Sequence, residues 1–255
     1  MYIINTLDMK HYTFLVFLFS ILTSCNKELS FENENFEKQS ALPCKDDCTK
    51  ITIDIPVAQN IPIVADSINK KIFRTVEEIV SFEEKQLNST DYNQLINSFI
   101  SYYEEMHEKF PNETFGWEAK VTGDIEFQSD QLLNIKIDHY TFTGGAHGYQ
   151  GFRSLLFDFK TGKTIFTDQI FKNPAEFKAF AEKEFRIKYQ IPEKDNINST
   201  GLMFENDEFQ LPQNIFYTEE GLLLYYNSYE AASYADGPKE ILFPYDKISK
   251  FLLYQ

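Results

Sequence analysis

The sequence predicts an α+β fold: mostly antiparallel sheet with inserted helices. Short stretches of period-two alternation come in pairs separated by turn residues, as hairpins do. Three longer stretches with apolar residues three and four apart interrupt them, as amphipathic helices do. Aromatic residues are dense, with 25 Phe, 15 Tyr and 1 Trp in 255 residues, and large aromatic side chains suit a packed pleated surface.

The elements follow in order. Thr49 to Val57 alternates Ile51, Ile53 and Ile55 with Thr52 and Asp54, a half-buried strand expected to end at Pro56. Behind Pro62, residues Val64, Ile68, Ile72, Val76, Ile79 and Val80 recur at helical spacing. Asp91 to Phe110 is a second helix, with Tyr92, Leu95, Ile96, Phe99, Tyr103 and Met106 on one face, Thr90 or Asp91 as its cap and Pro111 as its stop. The period then switches to two. Trp117, Ala119 and Val121 lead to Gly123, with Ile125 and Phe127 beyond, and Leu133, Ile135, Ile137, His139 and Thr141 share one face of the next strand. Phe152 to Phe159 is another strand, and Lys160–Lys163 turns into Thr164 and Ile165. Pro174 to Tyr189 reads as a third helix; strands over Asn214–Tyr217, Leu222–Tyr226 and Glu240–Phe243 and a short helix over Pro244–Leu253 complete the chain.

Charge narrows the function. There are 24 Lys and Arg against 39 Asp and Glu, a net of −15. Phosphate backbones are bound by clustered cations, so a nucleic-acid partner is not expected. Docking on anionic lipid by charge is not expected either.

The first residues read as an export signal. Met9-Lys10-His11 makes a short basic region, with Met9 an alternative start to Met1, and Tyr12 to Leu22 is an almost unbroken apolar run. As a helix that run spans about 16 Å, half a bilayer core, so it does not serve as a lasting membrane span. Leu22-Thr23-Ser24-Cys25 follows and resembles a bacterial lipobox, in which the Cys is acylated and becomes the mature N-terminus. Asn26 after Cys25 favours the outer membrane by resemblance to Gram-negative sorting rules. The expectation is a signal peptide over residues 1–24 and a lipid anchor at Cys25. Residues 25–48 would be a tether, with Asn26 to Pro43 polar, without periodicity and able to reach about 60 Å. Cys44 and Cys48 close that tether. A local disulfide is the expected state in an oxidising periplasm; reduced thiols and a functional pair are the alternatives.

The residues that carry chemistry are few. Gly144-Gly145-Ala146-His147-Gly148 puts three glycines in five residues, a loop whose backbone can take positive φ or approach a ligand. It lacks the Lys and following helix of a phosphate-binding loop. Its bland reading is a tight strand connection with His147 bonded to backbone. His139 and His147 with Asp138 offer two imidazoles and a carboxylate that could bind a metal, but spacing fixes no further ligand beside them. Glu104-x-x-His107 is half of a helical di-metal motif without its partner half. No Ser nucleophile elbow is present, and no carboxylate pair stands out by spacing. Neither a metal, a cofactor nor a catalytic residue is therefore expected. Tyr225-Tyr226-Asn227-Ser228-Tyr229-Glu230 and the following Ala231 to Pro238 crowd tyrosines and small residues together. Tyr offers large contact area at low entropy cost and aromatic faces suit sugar rings; the bland reading is core filling. The ligand-binding candidates are Gly144, Gly145, His147, Gly148, Tyr226, Tyr229 and Tyr234.

The same segments carry a family resemblance. The glycine loop, then Phe157 to Lys163, then Thr167-Asp168-Gln169-Ile170-Phe171, and further on Tyr229 to Pro238 and Pro244-Tyr245, resemble the paired envelope domains of unknown function. Those domains occur in the extracellular part of the lysozyme-sensing anti-sigma factor RsiV and beside the deacetylase domain of PdaC. The resemblance covers Thr49 to Phe251 and implies two α+β envelope domains, over residues 49–150 and 151–255. It also implies a binding role at the cell envelope. Neither a sigma-binding segment nor a deacetylase domain is present to carry those activities over. One relative binds lysozyme, a cationic protein, and a net charge of −15 would steer such a partner by long-range attraction.

The expected function is a non-catalytic, lipid-anchored envelope protein that binds a cationic protein or peptidoglycan-like glycan through the glycine loop and the Tyr225–Tyr234 segment. The alternatives are a cell-wall glycan enzyme using His147 with an acid, and a structural envelope component.

Overall fold

The computed structural model describes residues 28–44, 48–81, 88–111 and 115–254. The export signal and Cys25 lie outside the described residues. The described chain is α+β, with eight strands in two sheets and four α-helices.

The first sheet has the order β1-β2-β3-β4-β5, formed by Ser30–Gln39, Lys50–Gln59, Glu118–Gln128, Leu132–Phe142 and Tyr149–Asp158. All its pairs are antiparallel except β2 with β3, which run parallel over Lys50–Asp54 and Glu118–Thr122. The connection between those two strands holds α1 (Pro62–Val80) and α2 (Tyr92–Lys109), the crossover that parallel strands require. One sheet face presents Ile51, Ile53, Ala119, Val121, Leu133, Ile135, Ile137 and Leu155. These pack in one core with Val64, Ile68, Ile72 and Val76 of α1 and Leu95, Ile96, Phe99 and Ile100 of α2. Pro62 starts α1 within its first turn, and the Asp91 carboxylate caps α2 by accepting the Gln94 N–H at 2.8 Å.

The first sheet differs from expectation in three places. Residues 30–39, expected within a flexible tether, form β1, a ten-residue strand paired along its length with β2. Its sequence, SFENENFEKQ, conceals a strand because one edge is open to solvent and polar side chains fill both faces; among them Phe36 stacks on Tyr92 of α2 with ring centres 4.7 Å apart. Pro56 does not end β2, which runs on to Gln59. Pairing with β3 has stopped at Asp54, so the missing Pro56 N–H leaves no rung of that ladder empty, and β1 still pairs opposite it at Asn33. Finally, β5 belongs to the first sheet, so that unit extends past residue 150 to Asp158. Cys44 and Cys48 are joined by a disulfide, with Cα atoms 5.3 Å apart, in the segment between β1 and β2.

The second sheet is the meander β6-β7-β8, over Asn214–Tyr217, Gly221–Tyr226 and Lys239–Pro244. Between β5 and β6 lies α3 (Pro174–Lys188), capped by the Asn173 side chain. Phe177, Ala181 and Phe185 of α3 pack with Tyr217, Leu222, Leu224, Tyr226, Phe243 and Phe251 in a second, aromatic core. The closing helix, expected over Pro244–Leu253, is the single turn α4 (Tyr245–Ile248), after which Leu252 forms a bridge to Phe171. Thr164 pairs with Phe157 in an isolated bridge and extends no further as a strand.

The two sheets are joined by asparagines. β5 is an edge strand, and its outward backbone groups need partners. Asn227 supplies two: its Oδ1 accepts the Phe152 N–H at 2.8 Å and its Nδ2 donates to the Phe152 carbonyl at 3.0 Å. The Asn214 Oδ1 accepts the Ser154 N–H at 3.0 Å, and the Asn134 Oδ1 of β4 accepts the Tyr217 N–H at 2.8 Å. All three asparagines are buried. Among the described residues, no helix is long and apolar enough to cross a membrane.

Candidate functional site

The glycine loop is the connection between β4 and β5. Gly144 and Gly145 have φ of +105° and +91°, which only glycine takes without strain. The His147 Nδ1 lies 2.9 Å from the Gly148 carbonyl. Gly148 is buried because the Tyr140 ring lies across it; a Cβ at that position would come within 2.4 Å of the ring.

The second loop, between β7 and β8, folds onto the first. The Tyr234 ring stacks on His147, with centres 3.9 Å apart and planes 15° from parallel. Its hydroxyl donates to the Gly148 carbonyl at 3.2 Å. Tyr229 lies beside Tyr234 at 5.8 Å between ring centres and is 54% exposed. Its backbone is held at φ +72° within a turn closed by the Tyr229 N–H to the Ala232 carbonyl. A bulky residue in that region costs on the order of 1–3 kcal/mol, and such strain clusters at functional sites. The Glu230 carboxylate secures the turn by accepting the N–H groups of Asn227 at 3.0 Å and Gln213 at 2.6 Å. Burial raises its pKa despite those bonds and the nearby Arg153.

Gly144, Gly145, His147, Gly148, Tyr229 and Tyr234 thus come together at one end of the first sheet. Tyr226 does not join them. It points into the second core at 1% exposure, its hydroxyl donating to the Gln210 carbonyl at 2.7 Å, and burial drives its pKa far above the usual phenol value. Alternation along β7 turns Tyr225 outward instead.

Next to the loops lies a feature that sequence reasoning missed. The second sheet covers part of the sheet face opposite the helices, around Phe127, Leu132, Asn134, Ser154 and Leu156. Beyond that cover it opens into a depression of about 540 Å³ whose lining includes Lys120, Lys136, Asp138, Tyr140, Gln150 and Phe152. Tyr225 borders it, edge-on to Phe152 at 4.9 Å; burial, with Glu240 and Asp138 nearby, raises the Tyr225 pKa to about 12. Tyr140 links the depression to the glycine loop. The signal was present: in β4 the residues alternating with Ile135, Ile137 and His139 are Lys136, Asp138 and Tyr140, a polar and aromatic set on the other face.

The His139–Asp138–His147 grouping is not assembled. His139 shares the helix-side face with Ile137 and is buried, Asp138 faces the depression, and His147 sits on the loop. Neither ring nitrogen of His139 has a hydrogen-bond partner among the described residues. Burial, with Arg153 close by, lowers its pKa to about 4, so it is neutral at pH 7. Glu104 instead accepts the Ser40 hydroxyl at 2.7 Å. Among the described residues no group of three or more His, Cys, Asp or Glu is placed to hold a metal ion. The site offers ring faces, backbone amides and a mixed-charge floor, an arrangement suited to recognition.

Comparison with known proteins divides the chain in two. Residues 43–150 match the family described as Deacetylase PdaC, and residues 163–246 match the family described as Protein of unknown function (DUF3298). Their order is that of the paired domains the sequence resembles. Among solved structures, the chain is similar to a DUF3298 family protein from Pseudomonas aeruginosa PAO1, at 19% identity and a TM-score of 0.62, covering 89% of this chain and 95% of that one. It is also similar to a DUF3298 family member from Bacteroides fragilis NCTC 9343, at 18% identity and a TM-score of 0.67, covering 89% and 94%. At these identities the likeness is one of fold. No curated protein matches the chain.

Proposed function

We propose that this chain is a lipid-anchored protein of the bacterial cell envelope, held at Cys25 and displayed in the periplasm or at the surface from the outer membrane. It binds a protein or glycan ligand without transforming it. The observation that supports the reading is the stack of His147 on Tyr234. It joins loops from the two halves of the chain into one surface beside exposed Tyr229, with no core role that would require those rings. Exposed aromatic faces beside a depression lined by Lys, Asp and Gln suit the faces and hydroxyls of a sugar. The net charge of −15 favours approach of a cationic protein such as lysozyme.

Calorimetric titration of the full chain with muropeptides and with lysozyme tests this. Saturable binding of either one, weakened in Tyr234→Ala, supports the reading. Failure of both to bind overturns it in favour of a structural envelope component.

A second reading starts from the name of the first matched family, a deacetylase. In it His147 acts as a base on a cell-wall glycan. Product release from muropeptides that disappears in His147→Ala selects that reading.

A further inference from the structure

The strand register separates the chain's entry point from the candidate site. Ser30 pairs with Gln59, and at the same end of the sheet lie Gln128, Leu132 and Asp158. At the other end lie Gln39 and Lys50, Glu118 and Phe142, and the start of β5 at Tyr149, hence the glycine loop with Tyr234. From Leu132 to Thr141 a strand extends about 30 Å. The Asn60 side chain donates to the Ser30 hydroxyl at 2.7 Å, so the chain enters the fold beside the segment that leads into α1. There Ile63 is 84% exposed. The neighbouring Val64 is met by the turn after β5: a Cβ on Gly162 would lie 2.6 Å from the Val64 carbonyl oxygen, and Ser67 donates to the Gly162 carbonyl at 2.8 Å. That turn carries exposed Lys160 and Lys163, held by the Asp158 carboxylate through the Lys160 and Thr161 N–H groups.

Because β1 begins at Ser30, Cys25 is not at the far end of a long tether. Covalent geometry allows the stretch from Cys25 to Ser30 a reach of only about 17 Å, whatever its conformation. We propose that the sheet end formed by Asn60–Ile63 and the Lys160–Lys163 turn rests on the lipid bilayer, with Ile63 at the headgroup boundary and the two lysines against lipid phosphates. The His147–Tyr234 surface is then held about a strand length away from the membrane, facing outward. Single apolar and basic side chains add little affinity by themselves; here the acyl chains supply attachment and the short link sets orientation. This inference rests on the lipid anchor at Cys25 and is independent of what the loops bind.

The test uses the acylated mature protein, residues 25–255, with Cys44 and Cys48 left oxidised, in vesicles of phosphatidylethanolamine with a minority of phosphatidylglycerol. A fluorophore is attached in turn at Ile63→Cys, Lys160→Cys and Ala146→Cys, all exposed positions. The expected result is a several-fold loss of accessibility to an aqueous collisional quencher at Ile63→Cys and Lys160→Cys on vesicle attachment, with Ala146→Cys unchanged. Inserting about fifteen Gly and Ser residues after Lys27 lengthens the link without touching the fold, and should restore accessibility at Ile63→Cys. Equal accessibility at all three positions in protein whose acyl mass is confirmed overturns the orientation alone. Absence of the acyl mass overturns the anchor and the orientation together.

Discussion

The imidazole of His147 lies face to face with the phenol of Tyr234, their centres 3.9 Å apart. This contact, with the Tyr234 hydroxyl on the Gly148 carbonyl, closes the β4–β5 loop against the β7–β8 loop. An aromatic pair of this kind is worth about 1 kcal/mol beyond its buried area. A double-mutant cycle of His147→Ala and Tyr234→Ala, read by urea unfolding, should return a coupling of about that size. His147→Phe keeps the stack and removes the proton chemistry. Ligand affinity retained in that variant marks the site as a binding surface, and its loss assigns the imidazole a chemical part.

The junction between the sheets depends on Asn227. Asn227→Ala leaves both the N–H and the carbonyl of Phe152 without their partners. Each unsatisfied buried group costs about 1–3 kcal/mol. The expected loss of roughly 2–4 kcal/mol lowers Tm by about 5–15 °C in a chain of this size, and amide exchange should quicken at Phe152. Asn227→Asp keeps the acceptor for the Phe152 N–H but sets a buried carboxylate against the Phe152 carbonyl and beside Glu230, so at pH 7 it should lose at least as much as Asn227→Ala. Equal melting temperatures for Asn227→Ala and the unmodified chain would count against the junction.

His139 makes stability depend on pH. Its folded pKa of about 4 lies below the usual 6.5, so between those values the unfolded chain binds more protons than the folded one. Stability from this group is complete above pH 6.5 and drains away as pH falls through 4, by up to roughly 3 kcal/mol. Glu230, whose pKa is raised, acts in the opposite sense just above the ordinary carboxylate range and offsets part of the fall. In His139→Gln the decline of Tm between pH 7 and pH 4 should be shallower than in the unmodified chain. An identical decline in both would refute the assignment.

Two glycines of one loop should respond differently. At Gly145 an added Cβ meets open space and only the positive φ is costly, so Gly145→Ala should lose about 1 kcal/mol. At Gly148 the added Cβ collides with the Tyr140 ring, which must swing into the depression. Gly148→Ala should therefore weaken ligand binding more than Gly145→Ala does. Removing the ring in Gly148→Ala/Tyr140→Ala should recover loop order, measured as slowed exchange of the residue-148 and Tyr149 amides relative to Gly148→Ala alone.

Period and punctuation made most of the fold legible. Val64, Ile68, Ile72 and Val76 mark one buried helix face, and the pair Asn214–Tyr217 and Leu222–Tyr226 around Glu219-Glu220-Gly221 is a hairpin in the sequence as in space. Burial of one face imposes a local repeat, and a local repeat can be read without knowing what lies across it. β1 escaped because its pairing with β2 is made through the backbone, which leaves no trace in side-chain type. Tyr226 is buried rather than at the loops because neighbouring tyrosines on a strand point opposite ways, and which one faces inward depends on where α3 and the second core lie.

The candidate site shows the same division. Composition and order along the chain pointed to the glycine loop and to the tyrosine segment as separate features. Their meeting, 86 residues apart between Tyr234 and Gly148, arises because buried Asn227 and Asn214 satisfy the edge of β5 and thereby dock the second sheet beside it. Such long-range hydrogen bonding follows no sequence period. Side-chain chemistry sets what each segment is able to do, and the packing of distant backbone edges sets which segments act together.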